Sequence, residues 1–310
     1  MIACVGDLCV DIVSRVPGPI RPGSDVFAET RVATGGAAAN VAMWLARSGV
    51  PVTLLSRIGD DLWGRWLVEK LHKEGVSLHL ITDETLPTCI IQALVEPNGR
   101  RTFVSSRGAC LGWRMADLDV VGPALSAAEW LYLSGYTFFD EAGRMVARAI
   151  LERARASGVK VAIDPASWGP LSDLGAEAFW NLAAGADVLL PNREEGEVLT
   201  GEKEPEAMAR ALARRVSLVV LKLDAEGSLA CTTAGEMIYH PAPAVEVQDS
   251  TGAGDAFAAG FLARWRAGVP LKDALAAGTA WAGRALRRAS AGNELLSATF
   301  QDRSGSAVGL

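Results

Sequence analysis

Six short apolar runs rich in Val, Ile and Leu punctuate the chain at 2–5, 52–56, 130–133, 159–163, 188–190 and 218–221. Their length and branched side chains predict buried strands rather than helix segments. Between them lie longer stretches with apolar positions at helical spacing, at 38–48, 62–74, 141–157, 206–215, 255–267 and 271–288. Strands that are apolar along their whole length, alternating with helices, require a mainly parallel sheet covered on both faces. The predicted architecture is a three-layer α/β/α sandwich.

Two stretches break that rhythm. Residues 11–34 carry Pro17, Pro19 and Pro22 together with the alternating segment 26–32. Residues 88–105 read as a hairpin, with strands at 89–95 and 102–105 and a turn at Pro97-Asn98-Gly99. These segments, about 12–33 and 88–105, predict a small β-sheet lid over one edge of a single domain spanning 1–310. The chain shows no internal repeat, and the weakly periodic tail beyond Asn293 is expected to be peripheral.

The composition, 310 residues with 50% hydrophobic and 21% charged, suits one large globular unit. A net charge of −6 argues against nucleic acid as the main partner, because phosphate backbones select basic surfaces. The arginine doublets Arg100-Arg101, Arg214-Arg215 and Arg287-Arg288 are read as solvated positions. No apolar stretch approaches ~20 residues, so no membrane span is expected. The N-terminal segment lacks a basic n-region and turns polar at Asp7, so a cytoplasmic protein without a signal peptide is expected. Five scattered cysteines with no C-x-x-C pair and only three histidines predict neither a metal cluster nor a disulfide framework. They are read as small core residues, and Trp44, Trp66, Trp180 and Trp265 likewise as core.

The strongest chemical signal is Gln248-Asp249-Ser250-Thr251-Gly252-Ala253-Gly254-Asp255-Ala256-Phe257, which runs directly into a helical pattern. Small residues at 252–254 let backbone approach a ligand, and unpaired N–H groups at a helix start attract an anion. Asp255 would then face that anion. A plain N-cap role for Asp255 is the alternative. A dinucleotide fingerprint fails because Phe257 occupies the place of its third glycine, and no Gly-Lys-Ser/Thr phosphate loop occurs in the chain.

Asp249–Asp255 resembles the D-T-x-G-A-G-D signature of the ribokinase/PfkB carbohydrate kinases, with Ser250 in place of a threonine. Gly35-Gly36-Ala37-Ala38-Ala39-Asn40-Val41-Ala42 is similar to that family's G-G-x-x-x-N-x-A motif. Gly6-Asp7-x-x-x-Asp11, Gly59-Asp60-Asp61-x-x-Gly64, Asn192-x-x-Glu195 and Lys222-x-Asp224-x-x-Gly227 resemble further family motifs, and all six fall in the family's order. Asp224 departs from the pattern, standing where the nucleotide loop has its first glycine.

The resemblance implies a ribokinase-like fold and ATP-dependent phosphorylation of a hydroxymethyl group, which is catalysis by positioning and charge stabilisation. It implies Asp255 as general base, with Gly252, Ala253 and Gly254 as the anion hole. Asp11, Gly36 and Asn40 would hold the acceptor. Lys222, Asp224, Gly227 and Thr251 would border the nucleotide, with 277–281 walling the adenine pocket. Asn192 and Glu195 would organise Mg²⁺ and its waters, and a monovalent cation such as K⁺ is a further candidate.

The motif's Ala37-Ala38-Ala39 lacks the lysine usual in relatives that act on phosphosugars and frequent in ribokinases, so its form looks more like that of fructokinases; a neutral ketose or pentose is the first-ranked acceptor, in a fructokinase-like or ribokinase-like reaction. The same motif form occurs in 2-keto-3-deoxygluconate kinases, for which Arg107 is the candidate carboxylate partner; a surface salt bridge is its alternative role. A nucleoside acceptor ranks third. From another class, a catalytically weak sugar-binding regulatory protein is considered because of Asp224. A homodimer through the lid, using Val26, Ile90 and Leu94, is the expected assembly if there is one.

Overall fold

The computed structural model describes residues 1–287 apart from Arg21, Gly99 and Gln248. The chain opens with β1 (Ile2–Val5), passes through β2 (Cys9–Arg15) and β3 (Glu29–Gly35), and returns by α1 (Ala37–Arg47) to β4 (Val52–Gly59), α2 (Leu62–Lys73) and β5 (Ser77–Asp83). A hairpin of β6 (Cys89–Val95) and β7 (Arg101–Ser106) precedes α3 (Leu118–Ser126), β8 (Trp130–Ser134), α4 (Glu141–Ala156), β9 (Lys160–Asp164), α5 (Trp168–Leu174) and α6 (Ala176–Ala183). The remainder runs β10 (Val188–Leu189), α7 (Arg193–Thr200), α8 (Pro205–Leu212), β11 (Leu218–Lys222), β12 (Gly227–Thr232), β13 (Met237–Pro241), α9 (Ala253–Trp265) and α10 (Leu271–Leu286).

Among the described residues the main sheet has nine strands in the order β13-β12-β11-β10-β9-β8-β1-β4-β5. Pairing is parallel from β5 to β11 and antiparallel from β11 through β13. Alternation along each strand divides the core into two layers. Ala3, Val5, Leu131, Leu133, Val161 and Ile163 pack with α3, α4, α6, α7 and α8. Ile2, Cys4, Tyr132 and Ala162 pack with α1, α2, α9 and α10. Each fully buried Leu, Ile or Phe contributes about 1.5–3 kcal/mol relative to exposure, so the central strands are fixed from both sides.

A second sheet, β3-β2-β6-β7, forms the lid. Parallel pairing of β2 with β6 joins the two segments that break the βα rhythm, matching Asp11 to Ile91 and Arg15 to Val95. One lid face carries Asp11, Val13, Ala93, Val95 and Arg101, while Ile12, Val32 and Ile90 on the other pack against the body.

Several sequence expectations shift. The strand expected over 26–32 lies at Glu29–Gly35, because the proline-rich stretch supplies no regular pairing and the lid sheet begins at Cys9 instead. Val26 therefore sits in the loop between β2 and β3, and Ile90 packs against the body. β5 and β13 form without having been expected, being edge strands with mostly part-exposed residues, and β12 was missed because its buried run, Gly227–Thr232, mixes in glycine, serine and threonine. Trp44 and Trp180 are core, whereas Trp66 and Trp265 are only partly buried. Gly99 of the hairpin turn, Gln248, Arg288 and the tail beyond Asn293 lie outside the described residues.

Candidate active site

The carboxyl ends of neighbouring parallel strands supply most of the site, the usual location in open α/β sheets. β1 leads to Asp7, β8 ends at Ser134, β9 at Asp164 and β11 at Lys222, while β10 leads to Asn192. Against this rim sit the starts of α1, α7 and α9.

Gly252 caps α9 in the left-handed conformation, φ 72°, which a side chain disfavours. The helix therefore begins at Ala253, and Asp255 lies in its first turn rather than capping it. Asn40, in the first turn of α1, donates from Nδ2 to Asp255 Oδ2 at 2.8 Å. Its placement depends on Gly36, whose φ of 97° and approach to the Asp7 carbonyl leave no room for a Cβ. Asp7 accepts from the Ala37 backbone at 3.1 Å and from the Ser134 hydroxyl at 3.1 Å, which fixes the α1 terminus on β1. Burial pushes the Asp255 carboxyl up to about 7, opposed by the Asn40 hydrogen bond and assisted by Asp164.

Asp11 rises from β2 over Gly35, where any Cβ would strike its carboxylate. Burial, with Asp7 and Asp249 nearby, pushes its pKa up to about 7. Asp11 Oδ1 and Asn40 Oδ1 are both buried and have no hydrogen-bond partner. Buried acceptors without donors cost about 1–3 kcal/mol each, so this corner is built to receive donors from elsewhere.

Glu195 and Asn192 form a reciprocal capping box at the start of α7. Asn192 N–H donates to Glu195 Oε2 at 2.9 Å, and Glu195 N–H to Asn192 Oδ1 at 2.8 Å. Glu195 is 2% exposed while Glu194 and Glu197 are exposed. Burial pushes Glu195 up to about 7, against the pull of Lys222. Lys222 donates to Asp164 at 2.7 Å; burial disfavours its charge, but Asp164, Glu195 and Asp255 together raise its pKa. Asp164 and Glu195 are thus two buried carboxylates sharing one lysine beside an open cleft. That donor set suits an ion held by one or two carboxylates and retained waters, such as Mg²⁺.

The cleft has a volume of about 810 Å³ and runs past Asn192, Lys222, Asp224, Gly227, Ala253 and Gly254 to Thr279 and Gly283 of α10. Asp224 adopts φ 49°, the left-handed conformation its glycine counterpart would take, so the turn persists with a carboxylate at the mouth of the cleft. Burial raises its pKa, and Glu194 adds to the effect. From the lid, Arg101 donates to Asp249 at 2.7 Å and to the Thr251 hydroxyl, while Asp249 also accepts from the Thr251 backbone at 2.8 Å. The lid strand β7 is thereby tied to the loop that precedes α9.

The family model for pfkB carbohydrate kinases matches residues 1–298. The chain belongs to that family. It is 31% identical over 280 residues to a 2-dehydro-3-deoxygluconokinase of Thermoproteus tenax, covering 88% of this chain and 84% of the relative. It is 31% identical over 245 residues to a fructokinase of Klebsiella pneumoniae, covering 76% and 78%. A solved PfkB protein from Polaromonas sp. JS666 superposes with a TM-score of 0.78 at 30% identity, over 93% of this chain and 96% of that one. The fold is ribokinase-like, and the protein is an ATP-dependent sugar kinase.

In this kinase, Asn40 meets Asp255 across 215 positions of sequence, and Asp11 lies over Gly35 just before the helix that carries Asn40. Arg107 stacks over the Tyr136 ring at 5.1 Å and donates to the Tyr136 carbonyl at 3.3 Å. It makes no ion pair among the described residues, so the surface salt bridge weighed as its alternative role does not form there. The α10 wall of the cleft is Thr279, Ala282, Gly283 and Leu286, whereas Trp281 turns away and stacks on Trp44 at 6.0 Å. Asp164 and Arg101 are residues that sequence reasoning missed, and Asp7 was quoted there only within a motif, without a role. Asp164 had a usable signal, since it directly follows an apolar strand run at a carboxyl edge. Arg101 had none, because it looked like half of a solvated doublet.

Proposed function

We propose that this kinase transfers the γ-phosphoryl group of ATP to a hydroxymethyl group of a small neutral sugar, a ketose or pentose, with Asp255 as general base. The observation that carries the reading is the pair of buried, partnerless acceptors Asp11 Oδ1 and Asn40 Oδ1. Acceptors that lack donors call for a ligand rich in hydroxyl groups, held beside the carboxylate that would deprotonate one of them. With a pKa near 7, Asp255 is matched to proton abstraction at neutral pH. Asn40 holds its carboxylate in line, and the backbone of Gly252, Ala253 and Gly254 offers N–H groups where charge develops on the transferred phosphoryl.

Lys222 and Gly227 border the nucleotide in this reading, and Thr251 is oriented for it by Arg101. Asn192, Glu195 and Asp164 would hold Mg²⁺, which supplies charge neutralisation to the phosphates. The lid sheet excludes water from the transfer.

One observation supports a second acceptor class. Arg107 lies near Asp7, carries no carboxylate partner and is held by Tyr136, which suits a 2-keto-3-deoxy sugar acid. A coupled assay with MgATP and fructose, ribose, 2-keto-3-deoxygluconate or adenosine tests both. Highest kcat/KM on fructose or ribose, little changed by Arg107→Ala, supports the neutral reading. Highest kcat/KM on the acid, lost in Arg107→Ala, supports the second. Turnover of adenosine alone refutes both.

A further inference from the structure

Cys9, Cys89 and Cys110 come from three segments of the chain yet meet at one point, the root of the lid. Cys9 and Cys89 open the adjacent strands β2 and β6 and are direct partners in their register. Cys9 donates to the Cys89 sulfur at 2.8 Å. Cys110 is delivered by the turn Gly108–Leu111, whose Ala109 N–H bonds to the Pro87 carbonyl at 2.8 Å, two residues before Cys89. Gly108 takes φ 45°, and a Cβ there would strike that carbonyl, so the close approach of the turn requires glycine. All three sulfurs lie within 4.8 Å of one another, and none of the three residues is more than 4% exposed.

We propose that these three sulfurs form a binding site for a soft metal ion of the Cu(I) type. The ligand set is thiol only, which selects soft cations over Mg²⁺ or Ca²⁺. Zinc sites built by proteins are almost always four-coordinate, and no fourth His, Cys, Asp or Glu joins this group among the described residues. A three-sulfur site closed to water suits an ion content with three soft ligands. At a metal–sulfur distance of about 2.3 Å, three sulfurs around one ion stand about 4 Å apart. That spacing falls within the 4.8 Å limit, and it requires Cys9 and Cys89 to separate slightly through χ1. Binding exchanges thiol protons for the metal: each sulfur that ligates as thiolate releases one proton to solvent, and no electron is transferred. Cys4 and Cys231 are also buried but lie elsewhere in the core, so they serve as internal controls.

The test is an anaerobic titration of the fully reduced protein with Cu(I) in competition with a chromophoric Cu(I) chelator. One equivalent per chain should be withdrawn from the chelator. Cys9→Ala/Cys110→Ala should weaken uptake by more than the roughly 100-fold typical of losing an outer-shell partner. Cys4→Ala/Cys231→Ala should bind like the parent. No uptake by the parent, or equal uptake by the Cys9→Ala/Cys110→Ala variant, overturns the proposal. X-ray absorption of the copper-loaded parent gives a readout independent of the variants' folding. Three sulfur neighbours support the site, and nitrogen or oxygen neighbours sink it.

Discussion

Asn40→Ala separates the tuning of Asp255, the proposed general base, from its presence. In the parent, burial holds Asp255 near 7 while the 2.8 Å hydrogen bond from Asn40 favours the ionised form. A hydrogen bond to a charged group is worth about 1.5–3 kcal/mol, and Asp255 is partly open to the cleft, so the lower figure applies. At about 1.4 kcal/mol per pH unit, losing it moves the carboxyl upward by about one unit. Because the ionised form is the base, the sugar kcat/KM should fall as pH drops through about 7 in the parent and through about 8 in Asn40→Ala. At pH 5 roughly one parent molecule in a hundred keeps the base ionised, for a carboxyl titrating near 7. Asp255→Asn should lower kcat by at least ~10²-fold and abolish the acid limb. Folding carries the opposite sign. A carboxyl raised from 3.8 to about 7 destabilises the native state as pH rises through that window. Asp255→Asn should therefore gain up to a few kcal/mol at pH 8 and nothing at pH 4. The assay is kcat/KM for sugar at saturating MgATP from pH 4 to 9, with urea unfolding at pH 4 and pH 8. An acid limb at pH 4–5, or one that stays in place in Asn40→Ala, refutes the assignment.

Glu195→Gln keeps the capping acceptor through its amide oxygen but removes a charge, so the Mg²⁺ concentration for half-maximal rate should rise about tenfold while Tm moves little; an unchanged Mg²⁺ titration places the ion elsewhere. Arg57, 2% exposed, pairs with the buried Asp83 at 2.5 Å and with Asp117. Arg57→Leu removes the guanidinium shared by two buried carboxylates, leaving Asp83 with Thr85, Leu86 and Arg114 and Asp117 with the Arg114 backbone, and should cost about 3 kcal/mol in urea unfolding; a loss below about 1 kcal/mol contradicts the pairing. Arg101→Ala frees the lid from Asp249 and Thr251, so amide exchange should quicken in 9–15 and 89–106 together and the sugar KM should rise. Exchange that changes in only one segment refutes a lid moving as a unit.

The parts of the kinase legible in the sequence are those set by local rules. Small residues before Asp255 announced a turn into a helix, and α9 begins at Ala253 as that turn requires. The apolar runs gave β1, β4, β8, β9, β10 and β11 because both faces of these strands are buried, which keeps most of their positions apolar despite exceptions such as Thr53, Ser56 and Arg57 in β4. β5 was missed for the converse reason: six of its seven residues are partly or fully exposed. β2 and β6 were placed in a lid, but their parallel pairing depends on a contact across 80 residues that no local pattern encodes. That one pairing brings Cys9 to Cys89, while the neighbouring β2–β3 pairing, with Cys9 opposite Gly35, sets Asp11 above Gly35.

The same limit explains how the charged residues were misjudged. Reading Glu195 apart from its neighbours Glu194 and Glu197 needed the family motif, since all three are glutamates at a helix start. The structure separates them physically: the capping geometry turns Glu195 inward to Lys222 and leaves the other two in water. Lys222 was assigned only to the nucleotide, but a buried lysine requires a counter-charge, and Asp164 supplies it at 2.7 Å. That pair also constrains the chemistry. With Lys222 committed to Asp164, Glu195 and Asp164 together retain less than full neutralisation, which is why burial still pushes Glu195 up to about 7. A divalent cation arriving with the nucleotide would lower that pKa and release a proton, coupling metal affinity to pH near neutrality.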